Sequence, residues 1–427
     1  MLVDLNGRAL ATPRANKRYE VGRIVFPLKL RVTFYLSDGP EGLISSQRPP
    51  TPKPKLQEKS VQTQNALRRQ LIIGTYTERL PHVDGRAEGI LACSFDGSAI
   101  GPARLLAPTR NPSYLALSAD RQHLYAVNET VTFDGQSGGS VSAFARDAQT
   151  GDLSFLNAKP SGGDAPCHLG LDPTGRFLLV ANYVSGSVAV FELQPDGSLG
   201  ATTGRVQHEG AGAHPERQTG PHAHMVVFDP HSGPDNAEVL VSDLGLDLVL
   251  VYTLSGTGDL VEHRARRVEM TAGSGPRHLA FHPDGHHLFV VNELANTLVA
   301  LRREGDRFVP TGSASTLPQG FGAHSQAAAL RVSPSGNSVL VSNRGDESDS
   351  IAVFRFQLSD GSLELAQVQP TSGRQPRELV FDADGRIVVV ANQDSHTLVV
   401  FAFDEVASQL TEVTRATVPT PVCLTIA

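Results

Sequence analysis

A repeat of about 50 residues constrains the fold of this chain more than any other feature of its sequence. Six copies begin between residues 111 and 375, and each contains an apolar strand, a turn, a second apolar strand and then Asn or Asp. The turn glycines Gly285, Gly336 and Gly385 lie 51 and 49 residues apart. Self-similar strands with such a period are typical of β-propellers.

Each copy continues with two further strands, which makes it one four-stranded blade. A third strand follows the Asn, as in residues 186–192 and 349–355, and a fourth follows a Gly turn, as at residues 196–199. Alternating apolar residues and Asp-Gly turns are typical of antiparallel hairpins. The repeat therefore predicts antiparallel blades.

A seventh blade is predicted from the two ends of the chain together. Residues 421–426 resemble the first strand of a repeat, residues 71–76 a second strand and residues 90–95 a third. Pairing them would close the ring and leave no open sheet edge. We therefore predict an all-β fold over residues 70–427, a seven-bladed β-propeller of four-stranded antiparallel blades, closed by pairing of the N- and C-terminal strands.

The first 69 residues differ in composition from the propeller region. Residues 1–70 hold 13 Lys or Arg and 5 Asp or Glu, whereas the remainder holds 24 and 39. The Pro-rich stretch at residues 48–55 favours extended backbone, and basic, Pro-rich composition rarely builds a core. The functional alternative is an interaction arm or a targeting peptide. The segment lacks the uninterrupted apolar stretch that is typical of a secretory signal. We expect residues 1–69 to be a poorly ordered basic extension.

Composition excludes several classes of protein. A net charge of −7 argues against nucleic acid or an anionic membrane as partner of the whole chain. The apolar runs are strand-length, which is too short to cross a membrane. Three cysteines without CxxC spacing predict neither a disulfide framework nor a structural zinc site. We expect a cytoplasmic protein, monomeric or dimeric, without cofactor or metal.

The repeat also separates scaffold from site. An Asn or Asp at the end of the second strand recurs in every copy and is expected to bond neighbouring backbone. These scaffold positions are Asn128, Asn182, Asp243, Asn292, Asn343 and Asn392. The next position, and the position after the proline of the first strand, differ from blade to blade. Because one substrate breaks the symmetry of a ring, we expect the site at these variable positions.

Four variable residues should meet at one mouth of the central channel. The first two strands of a blade form an antiparallel hairpin, so the start of the first and the end of the second lie at the same face of the ring. Arg277 and Glu293 are such a pair in one blade. His224 begins the preceding blade, and Arg344 ends the second strand of the following one. The alternative is a surface ion pair of Arg277 with Glu293 and two unrelated rim residues.

Several segments of the chain have a recognisable family pattern. The most specific is Gly-Pro-Arg-His-Leu-Ala-Phe-His-Pro-Asp-Gly at residues 275–285, with Val-Asn-Glu at residues 291–293. The others are residues 73–77, 166–169 with 180–183, and 214–218 followed by 220–224. From about Leu71 to Ala427 the chain resembles the seven-bladed propeller lactonase family, which includes bacterial 6-phosphogluconolactonases and fungal carboxymuconate-lactonizing enzymes. The resemblance implies a site formed by His224, Arg277, Glu293 and Arg344.

The resulting hypothesis is hydrolysis of 6-phospho-D-glucono-1,5-lactone, a small anionic substrate. Glu293 is the candidate general base and His224 the candidate acid or oxyanion donor. Arg277 and Arg344 would hold phosphate or carboxylate. Secondary substrate-binding candidates lie on the same rim. These are His168, Arg377 and His222, the last also a rival of His224 for the catalytic role.

Three alternatives belong to other classes. A muconate-type cycloisomerase would bind carboxylates through the arginines and move a proton at carbon. A non-enzymatic binding platform is a common use of propellers, but a peptide platform more often presents aromatic residues and this chain has no Trp. A metal-dependent lactonase would need carboxylate and Asn ligands near the axis, for which Glu129, Asn182 and Asp243 are the candidates.

Overall fold

The structure is all-β, as the sequence predicts. The computed structural model describes residues 69–233, 236–345 and 347–427. Within these residues 33 strands form, together with one short 3-10 helix, Arg264–Arg266. In this part of the chain no helix has the length and apolar character needed to cross a membrane. The predicted extension lies outside the described residues, except that Arg69 already begins the first strand.

Seven antiparallel sheets form the blades, which we number 1 to 7 around the ring. For each blade the strands are given in order from the central channel outward. Blade 1 contains Pro421–Ile426, Arg69–Thr75, Gly89–Phe95 and Arg104–Pro108; blade 2 contains Tyr114–Leu117, His123–Asn128, Ser140–Arg146 and Leu153–Pro160; blade 3 contains Pro166–Leu171, Phe177–Asn182, Ser187–Leu193 and Leu199–Gln207.

The remaining four blades repeat this order. Blade 4 contains Ala223–Phe228, Asn236–Asp243, Leu248–Ser255 and Leu260–Glu262, and Val268–Glu269 also pairs with its third strand; blade 5 contains Pro276–Phe281, His287–Asn292, Thr297–Glu304 and Arg307–Ser315; blade 6 contains Gln326–Val332, Ser338–Arg344, Ser350–Gln357 and Ser362–Pro370; blade 7 contains Pro376–Phe381, Ile387–Asn392, Thr397–Asp404 and Gln409–Thr417. Two small hairpins lie outside the blades, Arg79–Leu80 with Val83–Asp84 and Thr132–Phe133 with Gln136–Ser137.

The two ends of the chain close the ring within blade 1, as predicted. Pro421–Ile426 pairs antiparallel with Arg69–Thr75, with Leu71 opposite Ile426 and Gly74 opposite Cys423. The innermost strands of the seven blades contact one another in succession, and that of blade 7 contacts Pro421–Ile426. The split blade therefore has a complete inner strand, and no gap is left in the ring.

Apolar side chains hold neighbouring blades together. Successive side chains of a strand point to opposite faces of its sheet, so each blade packs against both neighbours. Leu179 and Val190 of blade 3, for example, lie in one buried cluster with Val239 and Val241 of blade 4. Seven such clusters form, one at each interface between blades. Burial of apolar area at every interface is the main stabilising contribution to the ring.

The recurring Asn is a scaffold residue, which confirms the prediction from the repeat. The side-chain amide of Asn182 donates to the carbonyl oxygen of Ser161 at 3.1 Å. Asn343 donates to Thr316 at 2.9 Å in the same way. In both cases the acceptor directly follows the outer strand of the preceding blade. In blades 3 and 6 the Asn thus ties the blade to the one before it.

Deleting residues 1–68 is expected to leave the melting temperature and the activity close to those of the full chain. The reason is that the strand which closes the ring by pairing with the C-terminal strand is Arg69–Thr75. Arg69 itself should be kept, because its guanidinium pairs with Asp382 at 3.1 Å. Differential scanning calorimetry is the measurement, with a deletion of residues 1–75 as the destabilised control. A large fall in melting temperature for the shorter deletion would contradict the prediction.

Candidate active site

A cavity of about 430 Å³ opens at one mouth of the central channel. Five of the predicted site residues line it together, from blades 4 to 7: His224, Arg277, Glu293, Arg344 and Arg377. Their convergence follows from the hairpin geometry, since each lies at the start of a first strand or the end of a second. The variable positions of the repeat therefore do meet in one place.

A β-bulge at the start of the inner strand aims several of these side chains. In blade 5 the pairing register shifts between Pro276 and His278, which leaves Arg277 outside the ladder. The same shift flanks His224 in blade 4 and Arg377 in blade 7. Bulges turn a side chain away from its regular direction. In these three blades the second residue of the inner strand is thus the one that reaches the cavity.

Glu293 is the electrostatic centre of the cavity. Its Oε2 lies 3.0 Å from Nη2 of Arg344 and 3.0 Å from Nε of Arg277, the latter at an angle outside hydrogen-bond geometry. Its Oε1 accepts a hydrogen bond of 2.7 Å from Nη2 of Arg217. Three guanidinium groups therefore surround one carboxylate whose side chain is only 5% exposed.

These arginines keep Glu293 ionised. Burial by itself raises the pKa of Glu293, but the charges of Arg344, Arg277 and Arg217 outweigh it and lower the pKa to about 2. The carboxylate is therefore charged at every physiological pH. It is also a weak base while all three arginines are in place.

The side chain of Arg277 is held by contacts within the protein, whereas the guanidinium of Arg377 keeps unused hydrogen-bond donors. Nη1 of Arg277 donates to the carbonyl oxygen of Ala328 at 2.7 Å and lies 2.8 Å from Nε2 of His278. The contacts of Arg377 among the described residues are a 3.6 Å ion pair with Glu129 and the ring of Tyr76, whose centroid is 5.4 Å away. The Arg377 guanidinium can therefore bind an anion without losing a hydrogen bond.

His224 is neutral and unpartnered. Burial, followed by the charges of Arg277 and Arg377, lowers its pKa well below the usual value of a histidine. Its Nδ1 has no hydrogen-bond partner among the described residues. The ring stands edge-on to Tyr183 and to His278, with centroids 5.6 Å away in both cases. A neutral imidazole offers one N–H donor and one acceptor nitrogen.

The structure does not bring the other two predicted histidines to the cavity. His168 is buried, packs on Tyr114 with ring centroids 4.1 Å apart, and its Nδ1 accepts the N–H of Val226 at 3.4 Å. The bulge turns the preceding residue, Cys167, to the mouth instead. His222 stacks on the outer side of Tyr183, and its Nδ1 lies 3.0 Å from the Tyr183 carbonyl oxygen. Of the rival pair, His224 is thus the one at the cavity.

Arg217 is the site residue that the repeat could not reveal. It lies in the connection between Leu199–Gln207 of blade 3 and Ala223–Phe228 of blade 4, where no strand period applies. Its Nη2 donates to Glu293 and to the hydroxyl of Tyr183, at 2.7 and 3.1 Å. The available signal was the family-like segment at residues 214–218, which contains it.

The residues considered as metal ligands do not form a common site. Glu129 lines the cavity, but Asn182 is engaged with Ser161 and Asp243 lies 2.6 Å from Nδ1 of the buried His208. Within the part of the chain that the structure describes, the group of side chains that could hold a metal ion is elsewhere, in the turn between the first two strands of blade 5 and at the start of the second strand. It consists of His282, Asp284 and His287.

Comparisons with known proteins agree with this architecture. The family described as "Lactonase, 7-bladed beta-propeller" matches residues 70–426. The chain is similar to a 6-phosphogluconolactonase of Bacillus subtilis, with 36% identity over 357 residues, which is 82% of this chain and 96% of that protein. A 6-phosphogluconolactonase of Formosa agariphila is 30% identical over 78% of this chain and 92% of its own length.

A solved structure gives the same result. The periplasmic gluconolactonase of Pseudomonas aeruginosa superposes with a TM-score of 0.76 at 32% identity, covering 84% of this chain and 98% of that one. The family match at residues 70–426 extends over the blades and the cavity described above.

Proposed function

The chain belongs to the seven-bladed β-propeller lactonase family, and on this premise we propose that it is a 6-phosphogluconolactonase. The reaction is hydrolysis of 6-phospho-D-glucono-1,5-lactone to 6-phosphogluconate, a step of the pentose phosphate pathway. The observation that carries this proposal is the charge of the cavity, where four arginines and two glutamates line one mouth. The surplus of two positive charges suits a phosphate dianion.

Hydrolysis of a lactone requires three catalytic functions from the site. A base must take a proton from the attacking water, a donor must stabilise the oxyanion at the former carbonyl, and the alkoxide must be protonated when the ring C–O bond breaks. We assign the first to Glu293, which then returns its proton to the ring oxygen. The N–H of neutral His224 is the oxyanion donor.

The phosphate is assigned to the arginines that keep free donors. Among the residues that the structure describes, Arg377 has no hydrogen-bond acceptor and Arg344 uses only Nη2, on Glu293. Guanidinium groups bind phosphate through two parallel hydrogen bonds, which also fixes its direction. Arg277, held by Ala328, is better suited to orienting Glu293 than to following a substrate.

A panel of lactones tested by pH-stat decides the substrate. The panel comprises 6-phosphogluconolactone, glucono-1,5-lactone and a muconolactone, the last also monitored for isomerisation without acid release. A much higher kcat/KM on the phosphorylated lactone is expected. Isomerisation of muconolactone as the fastest reaction would favour the cycloisomerase instead, and inactivity on all three would favour a binding platform.

EDTA is expected to leave the rate in this panel unchanged. The groups assigned to the reaction are His, Glu and Arg, and a protonated guanidinium is not a metal ligand. The measurement compares initial rates before and after dialysis against EDTA. Loss of activity that Ca²⁺ or another divalent ion restores would contradict the assignment.

A cytoplasmic location is part of the proposal. The three cysteines, Cys93, Cys167 and Cys423, are all buried and unpaired. Reduced thiols persist in the cytosol, whereas oxidising compartments favour disulfides. We further propose a monomer or dimer, with no nucleic-acid or membrane partner.

A further inference from the structure

The loop that carries Arg217 is built to hold this arginine at the mouth of the cavity. His214 Nδ1 accepts the backbone N–H groups of Glu216 and Arg217 at 3.3 and 3.2 Å. The side chain of Gln218 is bonded on both ends: its Oε1 accepts the N–H of His214 at 2.7 Å, and its Nε2 donates to Asp247 at 2.7 Å. Gln218 is almost fully buried. The backbone at residues 214–218 is therefore anchored next to the site.

The side chain of Arg217 is nevertheless the loosest of the three that surround Glu293. It is 33% exposed, against 3% for Arg277 and 10% for Arg344. Within the described residues its hydrogen bonds use Nη2 alone, to Glu293 and Tyr183. Nε and Nη1 remain available, and the long side chain can turn without moving the anchored backbone.

The two oxygens of Glu293 are held differently. Oε2 contacts both Arg277 and Arg344, which come from the propeller strands. Oε1 has one partner among these arginines, Arg217, which comes from the loop. Removing Arg217 would therefore uncover one carboxylate oxygen and leave the other still oriented. An oxygen that accepts a hydrogen bond from a guanidinium cannot at the same time take a proton from water along that lone pair.

We propose that Arg217 is a substrate-operated latch on Glu293. The phosphate of the substrate draws the guanidinium of Arg217 away from Oε1, and this oxygen then takes the proton of the attacking water. The inference rests on the proposed function, because it requires an anionic lactone. It makes Arg217 a positioning and specificity residue: the phosphate contributes to activation of the base as well as to affinity.

Electrostatics supports the latch. With three arginines in place the pKa of Glu293 is about 2. Loss of one neighbouring positive charge raises the pKa of a carboxyl group. A bound phosphate also adds negative charge, which acts in the same direction. Glu293 therefore becomes a stronger base when the correct substrate arrives.

The test is Arg217→Gln, measured on 6-phosphogluconolactone and on glucono-1,5-lactone across pH. On the phosphorylated lactone we expect kcat/KM to fall about 10- to 100-fold, as for loss of a charge-assisted hydrogen bond. On the unphosphorylated lactone kcat/KM should stay level or rise, because Oε1 is already uncovered. The ratio of the two values is therefore expected to collapse.

The pH profile provides a readout that a purely structural role would not move. In the free wild-type enzyme, Glu293 stays ionised well into the acid range, so kcat/KM has no acid limb near neutrality from this group. In R217Q the pKa of Glu293 is higher, so the base is protonated, and activity lost, at a higher pH. Arg217→Lys keeps a positive charge and should return the acid limb towards that of the wild type.

Arg374→Gln is the matched control. Arg374 is an exposed arginine in the loop before blade 7, and it does not line the cavity. This variant should change neither the ratio nor the acid limb, and thermal melts should verify that all variants are folded. An unchanged ratio and acid limb in R217Q would overturn the latch and leave the proposed function intact. A wild-type enzyme inactive on the phosphorylated lactone would overturn both.

Discussion

Replacing Glu293 by Gln is expected to lower kcat by about 10²–10⁴-fold, the usual contribution of a positioned acid or base. The amide keeps the shape of the side chain but cannot take the proton of the attacking water. KM should change little, because the phosphate is held by arginines and a base contributes mainly in the transition state. The measurement is initial-rate kinetics on the best lactone of the panel.

The same substitution should also lower stability, and the experiment must separate the two effects. Removing one partner of a buried ion pair typically costs about 3–5 kcal/mol, because the other charges stay buried. Rates should therefore be measured well below the melting temperature of the variant. Glu129→Gln is the matched control, since Glu129 lines the same cavity but pairs with Arg377. Near-native kcat in E293Q on every lactone would refute the assignment and redirect attention to Glu129.

Truncating the chain after Thr420 is expected to prevent stable folding. The deletion removes the innermost strand of blade 1, whose residues Val422, Cys423 and Leu424 are buried. At roughly 1.5–3 kcal/mol for each large buried apolar side chain, the loss approaches the whole stability of a typical domain, about 5–15 kcal/mol. It also exposes the edge of Arg69–Thr75, which favours aggregation. Calorimetry and size-exclusion chromatography are the measurements.

A circular permutant is the control for this truncation. The backbones of Gln70 and Ala427 exchange hydrogen bonds of 3.2 and 2.8 Å, so a short linker can join Ala427 to Arg69. A chain that starts at Pro421 and ends at Thr420 keeps every strand pair and should melt cooperatively like the parent. A truncated protein that remains monomeric and melts cooperatively near the parent temperature would contradict closure through blade 1.

The sequence by itself determined the architecture. Strand alternation, turn glycines and the period near 50 residues are local signals, and they specify blades without knowledge of distant contacts. The resemblance of residues 421–426, 71–76 and 90–95 to the first, second and third strands of a repeat was enough to predict the split blade. Hairpin geometry then placed Arg277 beside Glu293 and brought His224 and Arg344 to the same mouth. These predictions succeeded because each depends on position within a repeated unit.

Only the tertiary structure decided the electrostatics of the site. Arg217 is 76 residues from Glu293 in sequence and lies in a loop without periodicity, so no spacing rule could pair them. The exclusion of His168 depends on a bulge that moves its neighbour Cys167 to the cavity. The low pKa of Glu293 depends on three guanidinium groups from three parts of the chain meeting within about one ion-pair distance. Charge–charge energies depend on the distance between groups in space. For a residue outside the repeat, such as Arg217, the repeat does not predict that distance.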